Sequence, residues 1–139
     1  MKISQETLSI PTPGKGFVDL SEQVRAVTAR SGVQTGLCVV YVKHTSASLL
    51  IQENADPAVR RDLERFASKL APEDGGWEHD DEGPDDMPAH LRSMVTRTSE
   101  TIPITDGVLG LGTWQALYLW EHRATAHRRT IVVTVTGVG

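Results

Sequence analysis

The chain reads as an antiparallel-rich α+β protein with two to three helices. Three observations point there. Helical periodicity is confined to three short stretches, many short β-rich runs lie between and after them, and the links are too short for the crossovers that parallel βαβ units need. With 139 residues and a mass of 15.2 kDa, a single domain over residues 1–139 accounts for the whole chain.

Taken in order, Lys2 to Ile10 alternates apolar and polar side chains at Ile3, Leu8 and Ile10 before Pro11 and Pro13, which predicts an edge strand followed by a turn. Leu20, Val24 and Val27 then recur at helical spacing, with Asp19 or Ser21 as cap and Gly32 as stop, so a helix is expected from about Leu20 to Arg30. Thr35–Lys43 and Ser48–Gln52 are β-branched and apolar, and read as adjacent strands joined or bent near His44. The strongest helix start is Asp56-Pro57, where Asp56 caps and Pro57 takes the first helical position. An apolar stripe of Val59, Leu63, Phe66, Ala67 and Leu70 follows, down to Pro72.

Pro72 to Asp86 is rich in Gly, Pro and acid, a loop long enough to suggest a task. A short helix is expected from Pro88 to about Val95, with Asp86 or Met87 in its cap region. Thr101–Ile104, Val108–Leu111, Trp114–Trp120 and Thr130–Thr136 complete the strands, Asp106-Gly107 turning between the first two. By period two, Trp114 and Trp120 share one strand face and at least one of them is core, while Gln115 and Glu121 take the other face.

A net charge of −4 and the lack of a long basic run argue against nucleic acid as a partner. The one basic group, Arg123 with His127-Arg128-Arg129, reads as a solvated approach to the last strand, or else a hold for a small anion. Cys38, the sole cysteine, sits in an apolar run as a buried small hydrophobe, so no internal disulfide forms. The start lacks an apolar signal core, and no stretch reaches the roughly 18 apolar residues of a membrane span, which predicts a cytoplasmic protein without membrane contact. A modest apolar content, with only seven aromatic residues, makes burial at a subunit interface plausible.

The chemistry-bearing residues gather between His79 and His90, where two imidazoles bracket five carboxylates: Asp80, Asp81, Glu82, Asp85 and Asp86. Imidazole with carboxylate suits a divalent cation, whether zinc or magnesium/manganese, although the spacing matches no zinc signature. A helix starting at Pro88 would set Asp86 and His90 beside its positive end, where a phosphate is also favoured. His44 ends a hydrophobic strand and can serve as third ligand, since catalytic sites often use three protein ligands and keep a position open. Thr45 and Ser46 beside it can hold phosphate oxygens or orient its ring, and Glu121 is a lesser candidate. The chain has no Gly-x-Ser-x-Gly elbow, Walker loop, Gly-x-Gly-x-x-Gly or His-Glu-x-x-His.

Three stretches together carry a family resemblance: His44-Thr45-Ser46-Ala47-Ser48 continuing through Gln52-Glu53-Asn54-Ala55-Asp56-Pro57; His79 with Asp86-Met87-Pro88-Ala89-His90; and Thr101-Ile102-Pro103-Ile104-Thr105-Asp106-Gly107 continuing to Leu111-Gly112-Thr113-Trp114-Gln115. Their order and spacing resemble the YjbQ-like family of secondary thiamine-phosphate synthase enzymes over nearly the whole chain. That resemblance implies a β-rich sandwich assembling as a homotrimer, with a polar site near the subunit junction. It further implies a secondary ability to make thiamine phosphate from a pyrimidine diphosphate and a thiazole phosphate. On the matching positions His44, His79 and His90 are the site imidazoles, expected to bind the metal or the phosphate. Thr45 and Ser46 stand by the phosphorylated substrate, and Asp86 or Glu82 orients a ligand or moves a proton. Two further readings share these residues: a metal- or ligand-binding trimer without enzymatic activity, and a metal-dependent hydrolase using an activated water.

Overall fold

The computed structural model describes residues 1–139 and holds eight strands and three helices. Strands β1 (Lys2–Thr12), β3 (Thr35–Val42), β5 (Ser99–Thr105), β6 (Val108–Leu109) and β8 (His127–Val138) form a five-stranded sheet in the order β1-β8-β3-β5-β6. Strands β2 (Gly16–Asp19), β4 (Ala47–Glu53) and β7 (Gln115–Glu121) form a second sheet in the order β2-β7-β4. Every pairing is antiparallel, as the short connections require.

Both sheets feed one core. Cys38, Val40 and Val42 from β3 and Ile131, Val133 and Val135 from β8 pack with Leu49 from β4 and with Leu117 and Leu119 from β7. Helix α1 (Ser21–Ser31) adds Val24 and Val27, and stops at Gly32, whose φ of 71° is the left-handed conformation expected of a helix-ending glycine. Helix α2 (Pro57–Leu70) starts as anticipated, with the Asp56 carboxylate accepting from the Ala58 N–H at 2.9 Å. Asp106 and Gly107, both at positive φ, make the tight turn between β5 and β6.

Several expectations change. The strands flanking His44 do not pair with each other: β3 belongs to the larger sheet and β4 to the smaller, so residues 43–46 carry the chain across. The last strand begins at His127 rather than Thr130 and pairs with β1 and β3 along its length. Trp114 precedes β7 and is exposed, whereas Trp120 is buried. Of the α2 stripe only Ala67 is fully buried; Phe66 and Leu70 face outward. No helix is long and apolar enough to cross a membrane.

Arg129 does not lie on a solvated approach to the strand. It continues the inward series Ile131, Val133 and Val135 by period two, so its guanidinium enters the space between the sheets. There it makes a paired contact with Glu121 of β7, through Nε at 2.7 Å and through Nη2. Thr12 donates to the same carboxylate at 2.7 Å. Burial raises the Glu121 pKa, but the bonds from Arg129, Thr12 and the Arg123 N–H outweigh it and leave the carboxyl below its ordinary value. Arg129 is 3% exposed and Glu121 fully buried, so removing one partner strands the other charge.

His122 is fully buried beside this pair, its Nε2 at 2.8 Å from the Ser48 hydroxyl and its ring packed on Trp120 at 5.0 Å. Burial first, then the nearby Arg92, pushes its pKa down to about 3. An unfolded histidine takes its proton near 6.5, so below that pH the unfolded state binds more protons and stability falls as pH falls toward the folded value.

Arg129→Met should lower unfolding free energy by about 3–5 kcal/mol in urea titrations, and adding Glu121→Gln should recover part of the loss because no charge is then stranded. In His122→Gln, stability should fall less steeply between about pH 6.5 and about 4.5, the slope dropping by up to about 1.4 kcal/mol per pH unit. Equal slopes in the two proteins would contradict the neutral buried imidazole.

Candidate functional site

Residues 71–85 form a loop that ends at helix α3 (Asp86–Val95), two residues earlier than Pro88. Asp86 is therefore helical and does not cap. Asp85 occupies the cap position, but its carboxylate accepts instead from the Ala124 N–H at 2.8 Å and from Arg123 Nε at 3.0 Å. Arg123 also donates to Asp86 Oδ1 at 2.7 Å and to the Glu82 carbonyl at 2.9 Å. One guanidinium thus ties the acidic loop and the helix start to the end of β7, and it is a clamp rather than a solvated charge.

With Oδ1 fixed by Arg123, Asp86 turns Oδ2 toward two imidazoles. His79 Nε2 lies 2.7 Å away and His90 Nε2 3.3 Å away. His90 is four residues along α3, so it rises from the same helix face as Asp86. Its Nδ1 donates to the Thr45 carbonyl at 2.9 Å, which turns the Nε2 edge of the ring toward the site. His79 comes from the loop and also meets Glu82 Oε2 at 3.2 Å. Asp86 is buried; His79 and Glu82 are exposed.

The charges agree with the contacts. The Asp86 hydrogen bond holds the His79 pKa above its ordinary value. For Asp86, burial raises the carboxyl, but His79, His90 and Arg123 prevail and leave it lowered. Asp86 is an anion whose open oxygen faces two nitrogen donors.

The ligand atoms of His79, Asp86 and His90 all lie within 4.8 Å of one another, and a second, exposed set of His79, Asp81 and Glu82 does so too. Two imidazoles with one oriented carboxylate form a donor set for borderline divalent cations, and the His90–Thr45 bond is the outer contact that such ligands use. The residues fit a cation, which would replace the proton now shared between His79 and Asp86.

His44 stands apart from that set. Its Nε2 accepts from the Thr130 N–H at 2.8 Å, and its Nδ1 stands 3.3 Å from Arg129 Nη1, so both ring nitrogens are engaged within the fold. Burial and then Arg129 lower its pKa. His44 lines a neighbouring cleft of about 300 Å³ with Thr45, His90, Ser93, Met94 and Thr98, so His90 separates the two spaces. Thr45 is exposed, and Ser46 holds Arg129 through its hydroxyl at 3.0 Å and its carbonyl at 3.2 Å. Of the residues singled out from sequence, His79, Asp86, His90 and Glu82 come together, while His44 and Thr45 line the adjoining cleft and Ser46 lies behind them on Arg129. Arg123, Asp85 and Arg129 were not recognised as structural partners. Alternation with Ile131 and Val133 was the available signal for Arg129; none marks Arg123.

An antiparallel two-sheet protein carrying a cation-competent set at a helix start is the class that fold and site define. The model of the YjbQ family, described as UPF0047 protein YjbQ-like, matches residues 6–138, and the chain belongs to this family. It is 57% identical over 134 residues to UPF0047 protein sll1880 of Synechocystis, covering 96% of this chain and 91% of that protein. Identity to UPF0047 protein YjbQ of Escherichia coli O157:H7 is 40% over 134 residues, covering 96% and 97% of the two chains. A solved YjbQ/UPF0047 family protein of Clostridium acetobutylicum superposes with a TM-score of 0.87 at 32% identity, covering 94% of this chain and 99% of that one.

In chelator-treated protein, Asp86→Asn should move the His79 titration to lower pH, because the carboxylate that favours the protonated ring is gone. Imidazole NMR signals followed against pH check this; an unmoved His79 would show that Asp86 does not set its charge.

Proposed function

We propose that the protein is a metal-assisted enzyme acting on a phosphorylated small molecule, and more narrowly a thiamine-phosphate synthase-like transferase joining a pyrimidine diphosphate to a thiazole phosphate. The observation that carries this reading is the convergence of His79 Nε2, His90 Nε2 and Asp86 Oδ2 in a half-open site. The family resemblance supplies the substrates. A homotrimer in a cytoplasmic setting belongs to the same proposal.

In that reaction the thiazole nitrogen attacks the ring-bearing methylene carbon while the carbon–oxygen bond to diphosphate breaks, the electron pair leaving with diphosphate. A bound divalent cation supplies positive charge to the departing diphosphate. Asp86, held by Arg123 and below its ordinary pKa, keeps a fixed anionic ligand at the site. His90 is held in orientation by its bond to the Thr45 carbonyl and needs no reorientation to bind. Glu82, exposed and 3.2 Å from His79 Nε2, is placed to orient that ligand or to exchange a proton with solvent. His44 and Thr45 line the second cleft with Ser93 and Thr98, where hydroxyls would meet a second anionic substrate, while Ser46 supports that wall by holding Arg129. The exposure of His79 also favours a metal-dependent hydrolase as second reading, since water reaches the site directly.

Purified protein should turn over the two thiamine precursors, lose that turnover on chelation and regain it with added divalent ion. His90→Ala should lower metal content and turnover by at least about tenfold. Unchanged metal content and turnover in that variant would overturn the proposal, and phosphate release from a simple ester without a thiazole partner would select the hydrolase.

A further inference from the structure

We propose that Trp77 is a stacking platform for a planar, amine-bearing ring, and that the cleft it lines is the ring subsite of the phosphorylated substrate; this rests on the cation-site reading above. The loop before α3 opens a cleft of about 630 Å³ walled by Trp77, Met87 and His79, with Glu78, Asp80 and Asp81 around it. That volume falls within the roughly 300–1,000 Å³ of small-molecule sites. His79 belongs to both the cleft and the cation set, so a phosphate held by the set has its organic substituent beside the Trp77 wall.

The indole is fixed where it stands. Its Nε1–H donates to the Pro72 carbonyl at 2.9 Å. A Cβ on Gly75 would come within 2.3 Å of indole Cζ2 and 2.4 Å of Cε2, so only glycine lets the ring lie this close to the backbone. Core packing does not explain the arrangement, because Trp77 is half-buried and outside the hydrophobic core. A polar loop thus spends a glycine and a hydrogen bond on presenting one large aromatic surface to a cleft.

Charge then sorts the ligand. Carboxylates of Glu78, Asp80 and Asp81 repel a phosphate from this cleft but accept hydrogen bonds from ring amino groups. An amine-bearing heteroaromatic ring would stack on the indole in this cleft, with its phosphate on the cation side. Trp77 is a binding residue in this account and takes no part in bond making.

The test is calorimetric titration of the full-length, Mn²⁺-loaded protein with two probes of similar charge, methyl phosphate and an aminopyrimidinylmethyl phosphate. Wild type should bind the ring-bearing probe at least about tenfold more tightly. Trp77→Ala and Trp77→Leu should erase most of that difference and leave methyl phosphate binding within about twofold, whereas Trp77→Phe keeps most of it. Equal binding of the two probes by wild type, or a Trp77→Leu protein that behaves as Trp77→Phe, would overturn the stacking role. Failure of the underlying cation reading looks different: His90→Ala would leave methyl phosphate binding unchanged.

Discussion

The ion pair of Arg129 with Glu121, buried between the two sheets, is the constraint on which the site end of the molecule depends. Arg129 rises from β8 in the larger sheet and Glu121 from β7 in the smaller, so the pair fixes one sheet against the other. Its remaining donors hold Ser46 and face His44, which pins the crossing between β3 and β4. That crossing contains Thr45, whose carbonyl orients His90. The orientation of His90 thus descends from the buried charge pair through Ser46 and its neighbour Thr45.

A second clamp works from the opposite side. Arg123, two residues after Glu121, binds Asp85, Asp86 and the Glu82 carbonyl, and thereby sets the height and direction of the α3 start. The acidic loop is therefore not a uniform cation sponge. Asp85 is taken up by the scaffold and Asp86 is shared, with Oδ1 fixed by Arg123 and Oδ2 turned to the two imidazoles. Division between a rigid pair on the helix, Asp86 and His90, and an exposed His79 on the loop suits a site that must hold a ligand firmly yet admit and release it.

Much of this architecture was legible in the sequence. The Asp56-Pro57 cap, the helix-ending Gly32 and the Asp106-Gly107 turn rest on local backbone chemistry, and each held in the structure. His79 and His90 were legible because ligand-type residues were dense around them. What escaped was set by distant partners. Arg129 looked like part of an exposed basic group because its neighbours His127 and Arg128 are polar, although its place in the β8 alternation puts it inward. The strand-end position of His44 suggests a third ligand, but its Nε2 is occupied by the Thr130 N–H, 86 residues away in sequence. The outward face of α2 follows from packing that periodicity alone does not fix.

The proposed function rests on one divalent cation binding where His79, Asp86 and His90 converge. Anomalous diffraction at the metal absorption edge, from crystals of the unmodified protein grown with Zn²⁺ or Mn²⁺, tests it most directly. A peak is expected within coordination distance, about 2.0–2.2 Å, of His79 Nε2, His90 Nε2 and Asp86 Oδ2. A peak bound by His44, or no peak at a loading that saturates the protein, would contradict it.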